Sequence, residues 1–259
     1  MADQAFLNSI DLTPVSAFAK RLANHLDVPP THFRKLAWSD GTDRTFSRGQ
    51  TLYREGDEVR KIYVVHEGWA IGTVALKRGR RFVYRMYQAG DIIALEDMNW
   101  SYASTTVEAV TDLIVSPIDK FAVVDLVAKD PKLGTAIIGL AMLDQVVAMD
   151  RARSNSRSDG PARLAHLLLQ LEARAKVTDD LDDGWFDLPL TQNVIADALG
   201  QTPIHINRSL KTLFDEGLIE REKRRYRLIG HERLVEMAEF INRYIVVPQS
   251  TDHLDMGSR

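Results

Sequence analysis

The run Leu190–Phe214, LTQNVIADALGQTPIHINRSLKTLF, leaves few options for its own fold. Thr191 is a good helix N-cap, and Val194, Ile195, Ala198 and Leu199 come after it at helical spacing. Gly200 stands where that helix must close in a left-handed residue. Thr202-Pro203 then restarts a helix, a hydroxyl cap followed by proline at the first position, where no backbone N–H is needed. At about 100° per residue, Ile206, Leu210, Leu213 and Phe214 share one face. Ile204, Arg208, Lys211 and Thr212 lie opposite, His205 flanks them, and Asn207 turns toward the body. Two short helices about a tight turn fit a helix-turn-helix, whose second helix meets base edges in the major groove. A helical hairpin inside any globular core has the same spacing.

The residues after Phe214 favour the helix-turn-helix. Asp215–Ile219 closes the helix, and Glu220–Leu228 reads as a charged β-hairpin, the wing of a winged helix. Between 201 and 229, Arg208, Lys211, Arg221, Lys223, Arg224, Arg225 and Arg227 outweigh Asp215, Glu216, Glu220 and Glu222 by three charges. The whole chain carries −3, so the remainder carries −6. A locally basic module on an acidic chain is the footprint of phosphate contact, and confines any DNA contact to this region.

The other segments divide by period. Residues 1–40 read as helical: Val15, Phe18, Ala19, Leu22, Ala23 and Leu26 recur at three and four, Pro29-Pro30 stops them, and Thr31–Trp38 forms a short second helix. From Arg44 to Ile118 the period is two, with turns at Gly49, Gly56, Gly68, Gly79 and Gly90, which predicts a small antiparallel barrel or sandwich. Pro131–Ser154 reads as a long helix with the stripe Leu133, Ala136, Leu140, Leu143 and Val147, and a second stripe Ile137, Ala141 and Ala148. A helix apolar on two faces buries one on the barrel and one on another chain, unless its own chain covers both. Residues 151–160 read as a polar hinge, Pro161–Lys176 as a helix, Trp185–Leu188 as a strand, and His231–Val247 as a closing helix with Leu234, Met237, Ala238, Ile241 and Ile245 inward. The last dozen residues read as a disordered tail.

Thr202-Pro203-Ile204-His205-Ile206-Asn207-Arg208, with Leu210 and Leu213, resembles the recognition helix of the Crp/Fnr family of bacterial transcription regulators. Gly49-Gln50-Thr51-Leu52, Gly56-Asp57, Ile62–Val65, Gly68 and Gly90-Asp91 resemble that family's cyclic-nucleotide-binding β-roll. The resemblance spans nearly the whole chain. It implies an α+β protein: helices and an antiparallel, jelly-roll-like β-roll over 1–130, a dimerisation helix and hinge over 131–158, a winged helix-turn-helix over 159–247, and a tail over 248–259. The implied partners are double-stranded DNA, contacted through Thr202, Pro203, Ile204, His205, Asn207, Arg208 and Lys211, and a second copy held through Leu133, Ala136, Leu140, Leu143 and Val147. RNA polymerase is a further partner if the protein activates transcription.

The roll's ligand chemistry departs from the family. Its Gly-Glu pair reads Ala94-Leu95 here, its Arg-Ser or Arg-Thr pair reads Ala103-Ser104, and Glu96 is displaced by one residue, which in a strand would change its face. A buried cyclic phosphate needs the missing arginine, so cyclic AMP is not expected. Arg81, Arg85, Leu95, Glu96, Ser104 and Thr105 are the candidate lining of a pocket for an unidentified effector, and a roll that binds nothing fits equally well. Zero cysteines excludes a cysteine-ligated iron–sulfur cluster, and seven scattered histidines give no metal-ligand spacing, so no cofactor or metal is expected. His66 reads as an ordinary hydrogen-bonded histidine and Lys77–Arg81 as a charged hairpin tip. No nucleophile–base pair, paired carboxylates or metal ligands suggest an enzyme. No apolar run approaches the roughly 20 residues of a membrane span, and no secretion signal is apparent, so a cytoplasmic protein without membrane contact is expected.

Overall fold

The computed structural model describes residues 16–26, 43–157, 159–178 and 181–244. The Thr31–Trp38 helix, the tail and residues beyond 244 lie outside this set. Helix α1 (Ala17–Leu26) is followed by eight strands: β1 (Arg44–Phe46), β2 (Thr51–Tyr53), β3 (Lys61–Glu67), β4 (Ala70–Ala75), β5 (Arg81–Tyr87), β6 (Ile92–Ile93), β7 (Thr106–Ala109) and β8 (Leu113–Asp119). They form two four-stranded antiparallel sheets, ordered β1-β8-β3-β6 and β2-β7-β4-β5. Alternation decides which side faces inward: in β3, Ile62 and Val64 are buried while Lys61 and Tyr63 are only half-buried. The result is the antiparallel roll that the period of two predicts, with Lys77–Gly79 at the β4–β5 hairpin tip.

Gly90 needs both of glycine's freedoms. Its φ is +86°, and a Cβ there would stand 2.9 Å from the Ala17 carbonyl oxygen and 2.9 Å from Arg21 Cδ. The close approach seats α1 on the roll, where Phe18, Ala19, Leu22 and Ala23 join its core.

A helix the periodicity does not single out, α2 (Lys120–Lys129), precedes the 27-residue α3 (Pro131–Arg157). Contrary to the sequence expectation, the stretch Leu133–Ser156 is long and apolar enough to match a membrane span by length and composition. Its first half is packed on the roll instead. Leu133, Ala136 and Leu140, expected at a dimer interface, are buried in the roll core of their own chain, and Leu143 and Val147 are half-buried. The uncovered face is the stripe Ile138, Met142, Gln145 and Met149, also spaced four, three and four. Helical geometry continues to Arg157, so most of the expected hinge is helix.

The remaining elements are α4 (Gly160–Thr178), β9 (Phe186–Asp187), α5 (Gln192–Leu199), α6 (Pro203–Asp215), β10 (Ile219–Glu222), β11 (Arg225–Leu228) and α7 (His231–Ala238). α7 stops well short of the expected Val247, because Glu239 takes a left-handed conformation, φ +45°, and caps it. Leu234 and Ala238 are buried, Met237 is half-buried, and Ile241, beyond the helix, is exposed. A second core joins Leu164, Leu167, Leu168 and Leu171 of α4 to Ile195, Ile206, Leu210 and Leu213, and takes in Ile71, Val83 and Met86 from the roll. α4 is buried under the winged helix, α5 packs on the roll's β5, and Arg174 of α4 donates to the Met86 carbonyl of β5.

Candidate functional site

The local chemistry of the helix pair is as the sequence dictates. Thr191 Oγ1 accepts from the Val194 N–H at 3.3 Å, and Gly200, φ +63°, closes α5 with its N–H on the Ala196 carbonyl. Thr202 Oγ1 accepts from the His205 N–H at 3.3 Å, with Pro203 as the first residue of α6. Ile206, Leu210 and Leu213 face the core; Phe214, expected with them, is 37% exposed. Thr202, Pro203, His205, Arg208 and Lys211 are exposed, and Ile204 is 66% exposed. Asn207 is also exposed, not turned into the domain, and joins the same outer surface. Ile204 therefore stands on the same outer face as the Arg208 guanidinium and the Lys211 ammonium.

β10 and β11 form the wing, paired Ile219–Leu228 through Glu222–Arg225, and β9 adds a third strand through Phe186–Tyr226. The net charge of this region hides a division of labour. Arg227 is held by Glu220, at 2.5 Å, and by Asp183, at 2.5 Å; Arg225 is held by Asp182 at 3.1 Å. Arg221 lies over the Tyr226 ring and bonds the Lys223 carbonyl, while Lys223 and Arg224 project at the tip. Among the described residues, Arg208, Lys211, Arg221, Lys223 and Arg224 are exposed cations with no carboxylate within ion-pair distance. They divide between α6 and the wing tip, two elements of one small unit.

Of the six residues expected to line a roll pocket, Arg85 and Glu96 share the wall of one cavity beside α3, and the other four lie elsewhere. Arg81 is at the surface, its Nε 2.9 Å from Asp197 of α5 and its Nη1 3.4 Å from Glu108, so it ties the roll to the helix pair. Ser104 is exposed and its backbone N–H points to Asp97; Thr105 is buried beside the Tyr53 hydroxyl; Leu95 packs on the roll core. Glu96 does not lie in a strand. Ala94 takes a left-handed φ of +65° and starts a turn, so the displaced carboxylate reaches the Tyr84 and Tyr87 hydroxyls instead of changing face. Burial, then the Glu96 carboxylate, pushes the phenols of Tyr53 and Tyr84 well up, which keeps both neutral. His66 Nε2 meets Ser116 Oγ at 2.6 Å, an ordinary hydrogen bond.

Arg85 alone of the expected arginines enters a cluster, and periodicity does not point to that cluster. Asp91, fully buried, accepts from Arg21 of α1 and Arg174 of α4, with Arg85 Nη2 at 3.8 Å. Burial alone would raise its carboxyl, but Arg174, Arg21 and Arg85 outweigh that and hold it below the usual range. Arg85 Nη1 also meets Asp144 of α3 at 2.5 Å. The Gly90-Asp91 turn is the part of this cluster visible in the sequence; two of its arginines come from helices distant along the chain. No group of three or more metal-ligating side chains is found among the described residues.

Residues 43–130 match the cyclic nucleotide-binding domain family, and residues 162–237 the Crp-like helix-turn-helix domain family. The transcriptional activator protein FnrL of Cereibacter sphaeroides is 25% identical over 199 residues, 75% of this chain and 79% of that protein. The fumarate and nitrate reduction regulatory protein of Vibrio cholerae is 23% identical over 195 residues, covering 75% and 78%. Two solved structures share the fold: FixK2 from Bradyrhizobium japonicum, TM-score 0.68 at 22% identity over 76% of this chain and 96% of that one, and TTHB099, a CRP-family regulator from Thermus thermophilus, TM-score 0.62 at 24% identity over 78% and 99%.

Proposed function

Because the chain belongs to the Crp/Fnr family of bacterial DNA-binding transcription regulators, we propose that it works in the cytoplasm as a homodimer on an inverted-repeat DNA site. The observation that carries the reading is the outer face of α6, where the side chains of Ile204, Arg208 and Lys211 stand in solvent, free of ion pairs among the described residues, while the opposite stripe is buried. Arg208 is the base reader: a guanidinium in the second turn reaches O6 and N7 of guanine with two parallel hydrogen bonds. Ile204 has no polar atom to offer and suits a thymine methyl. His205 and Lys211 meet phosphates, and the α6 N-terminus at Thr202 adds backbone N–H groups.

The second copy docks along Ile138, Met142, Gln145 and Met149. That stripe has the heptad spacing of a two-helix seam and is uncovered, whereas Leu133, Ala136 and Leu140 are already used by the roll. Cyclic AMP is not the effector. This reading rests on the Ala103-Ser104 pair, which stands where the family carries its phosphate-binding arginine. No catalytic role is assigned, and RNA polymerase is a partner if the protein activates.

The test is selection of the full-length protein on randomised duplex DNA. The selected site should be an inverted repeat with half-sites about one helical turn apart, roughly 34 Å. Arg208→Ala should cost about 1–3 kcal/mol and relax preference at one base pair per half-site, while Lys211→Ala weakens all sequences alike. Selection of no common sequence, or an Arg208→Ala variant with its base preferences intact, overturns the reading.

A further inference from the structure

An open cleft of about 460 Å³ lies where two turns of the roll meet the DNA-binding unit. Trp69 and Gln88, in the β3–β4 and β5–β6 turns, line it from the roll, and Asp182, Asp187 and Arg225, on or beside β9 and β11, line it from the winged helix. It shares no wall residue with the cavity that Arg85 and Glu96 border beside α3. Its charges do not cancel. Arg225 is held by Asp182 at 3.1 Å, while Asp187 is exposed and has no cation within ion-pair distance among the described residues. One negative charge is left over. Gln88 is the sharper observation. Its side chain is 6% exposed, and its Oε1 finds no donor among the described residues. A buried acceptor left without a donor costs free energy that a hydrogen bond would restore. The aromatic wall is half used: Trp185 lies under the guanidiniums of Arg225 and Arg227, at 5.8 and 5.3 Å, whereas among the described residues no cation lies over Trp69.

We propose that this cleft binds an aliphatic primary amine in its ammonium form, with Gln88 Oε1 as hydrogen-bond acceptor and Asp187 as counter-charge. An ammonium carries three N–H donors and no acceptor, which suits walls that offer an unpartnered carbonyl oxygen and an unpaired carboxylate. The terminal torsion of a glutamine is broad, so the Gln88 amide can turn its oxygen onto a donor inside the cleft. The single positive charge balances the one left over, and the Trp69 ring accepts either the cation or its alkyl stem. An anion would meet an excess of negative charge, and a neutral alcohol would satisfy Gln88 but leave Asp187 unpaired. The volume is in the range of ordinary small-molecule sites. Because the walls come from both the roll and the strands that carry the wing, occupancy braces one against the other; the effect of that on DNA binding rests on the regulator reading, while the binding itself does not.

The test titrates the DNA-free, full-length protein with n-butylammonium chloride at about pH 7, where the amine stays protonated, against potassium chloride at matched ionic strength, following the thermal midpoint. A saturable rise is expected with the amine and not with potassium. Gln88→Met, which keeps the length of the side chain and removes its acceptor, should weaken the apparent affinity about tenfold or more, the worth of a hydrogen bond to a charged group. Asp187→Asn should weaken it by less, since that carboxylate is exposed. Ala89→Leu fills the cleft from the β5–β6 turn and keeps every polar group; it should abolish saturation, and decides the matter if Gln88→Met does not fold. Tetramethylammonium has the same charge and no N–H, so it should bind more weakly than butylammonium. A rise equal to that in potassium chloride, or saturation that survives Ala89→Leu, overturns the site, and tetramethylammonium matching butylammonium overturns the hydrogen bond to Gln88. DNA retention is measured apart, so loss of the regulator reading would leave the binding result standing.

Discussion

Replacing Asp91 with asparagine removes one charge and almost no volume, and the junction between roll and DNA-binding unit should fail in proportion. The carboxylate is wholly buried and bonded by Arg21 and Arg174, whose side chains are 5% and 6% exposed, and by the Gln88 N–H at 2.8 Å. An asparagine would leave two buried guanidiniums sharing a neutral amide. Exposed ion pairs contribute about 0–1 kcal/mol, but removing one partner of a buried pair costs about 3–5 kcal/mol. Burial on both sides puts Asp91 in the second class. In a protein of this size 1 kcal/mol moves Tm by about 2–4 °C, so the variant should melt roughly 6–20 °C lower. Circular dichroism melts at one fixed protein concentration are the assay, since self-association makes Tm concentration-dependent. Arg174→Met, which leaves Asp91 paired with Arg21, should cost less. Because the folded carboxyl is held below its unfolded value, this stability is present above about pH 4 and is lost as pH falls further. An Asp91→Asn variant melting within about 2 °C of wild type would refute the reasoning, against the 6 °C minimum expected.

His166, packed edge-on against Phe240 and pushed down to about 4 chiefly by burial, is neutral when folded. Its folded value lies below the unfolded value of about 6.5, so the neutral ring's contribution is full above that pH and declines toward 4, by at most about 3 kcal/mol. A His166→Phe variant should show a flatter urea midpoint over that window; an unchanged slope would assign the acid sensitivity elsewhere. On the wing, Arg224→Ala should make the salt dependence of DNA binding shallower by about one unit, and Arg227→Ala, already neutralised by Glu220 and Asp183, should not. Equal changes would mean that those ion pairs open on DNA. Ile138→Glu with Met142→Glu should give a folded monomer in sedimentation, whereas Leu140→Glu should unfold the roll, because Leu140 is 5% exposed in its core. A dimer that survives the first pair places the seam elsewhere.

Local signals make much of this fold readable. Caps, proline and the left-handed Gly200 are chemistry of neighbouring residues, so the helix pair and the wing can be read along the chain. The face of α3 cannot. Leu133-Ala136-Leu140 and Ile138-Met142-Met149 both recur at three and four, and periodicity does not say which neighbour each stripe meets. The end of α7 is invisible for a related reason: Glu239, not a glycine, takes the left-handed residue there. The Asp91 cluster is hidden by distance along the chain, since Arg21, Arg85 and Arg174 meet only after the roll, α1 and α4 have packed. Glu96 escapes the reading because a strand would change its face, whereas Ala94 turns the backbone out of strand geometry two residues earlier.

The outer face of β4 and β5 supplies Ile71, Val83 and Met86 to the same apolar core as α4. The passage from α3 into α4 is therefore not a break in the packing. Cut there, the protein would yield two halves, each with an apolar flank that only the other covers. Such halves belong together as a split protein: produced separately they would tend to aggregate, and produced together they would reassemble without a covalent link. It follows too that the DNA-reading half cannot swing freely on that joint. Any signal moving it must slide one greasy surface over another or supply a substitute cover, so rearrangement here resembles exchange of partners more than the turning of a hinge.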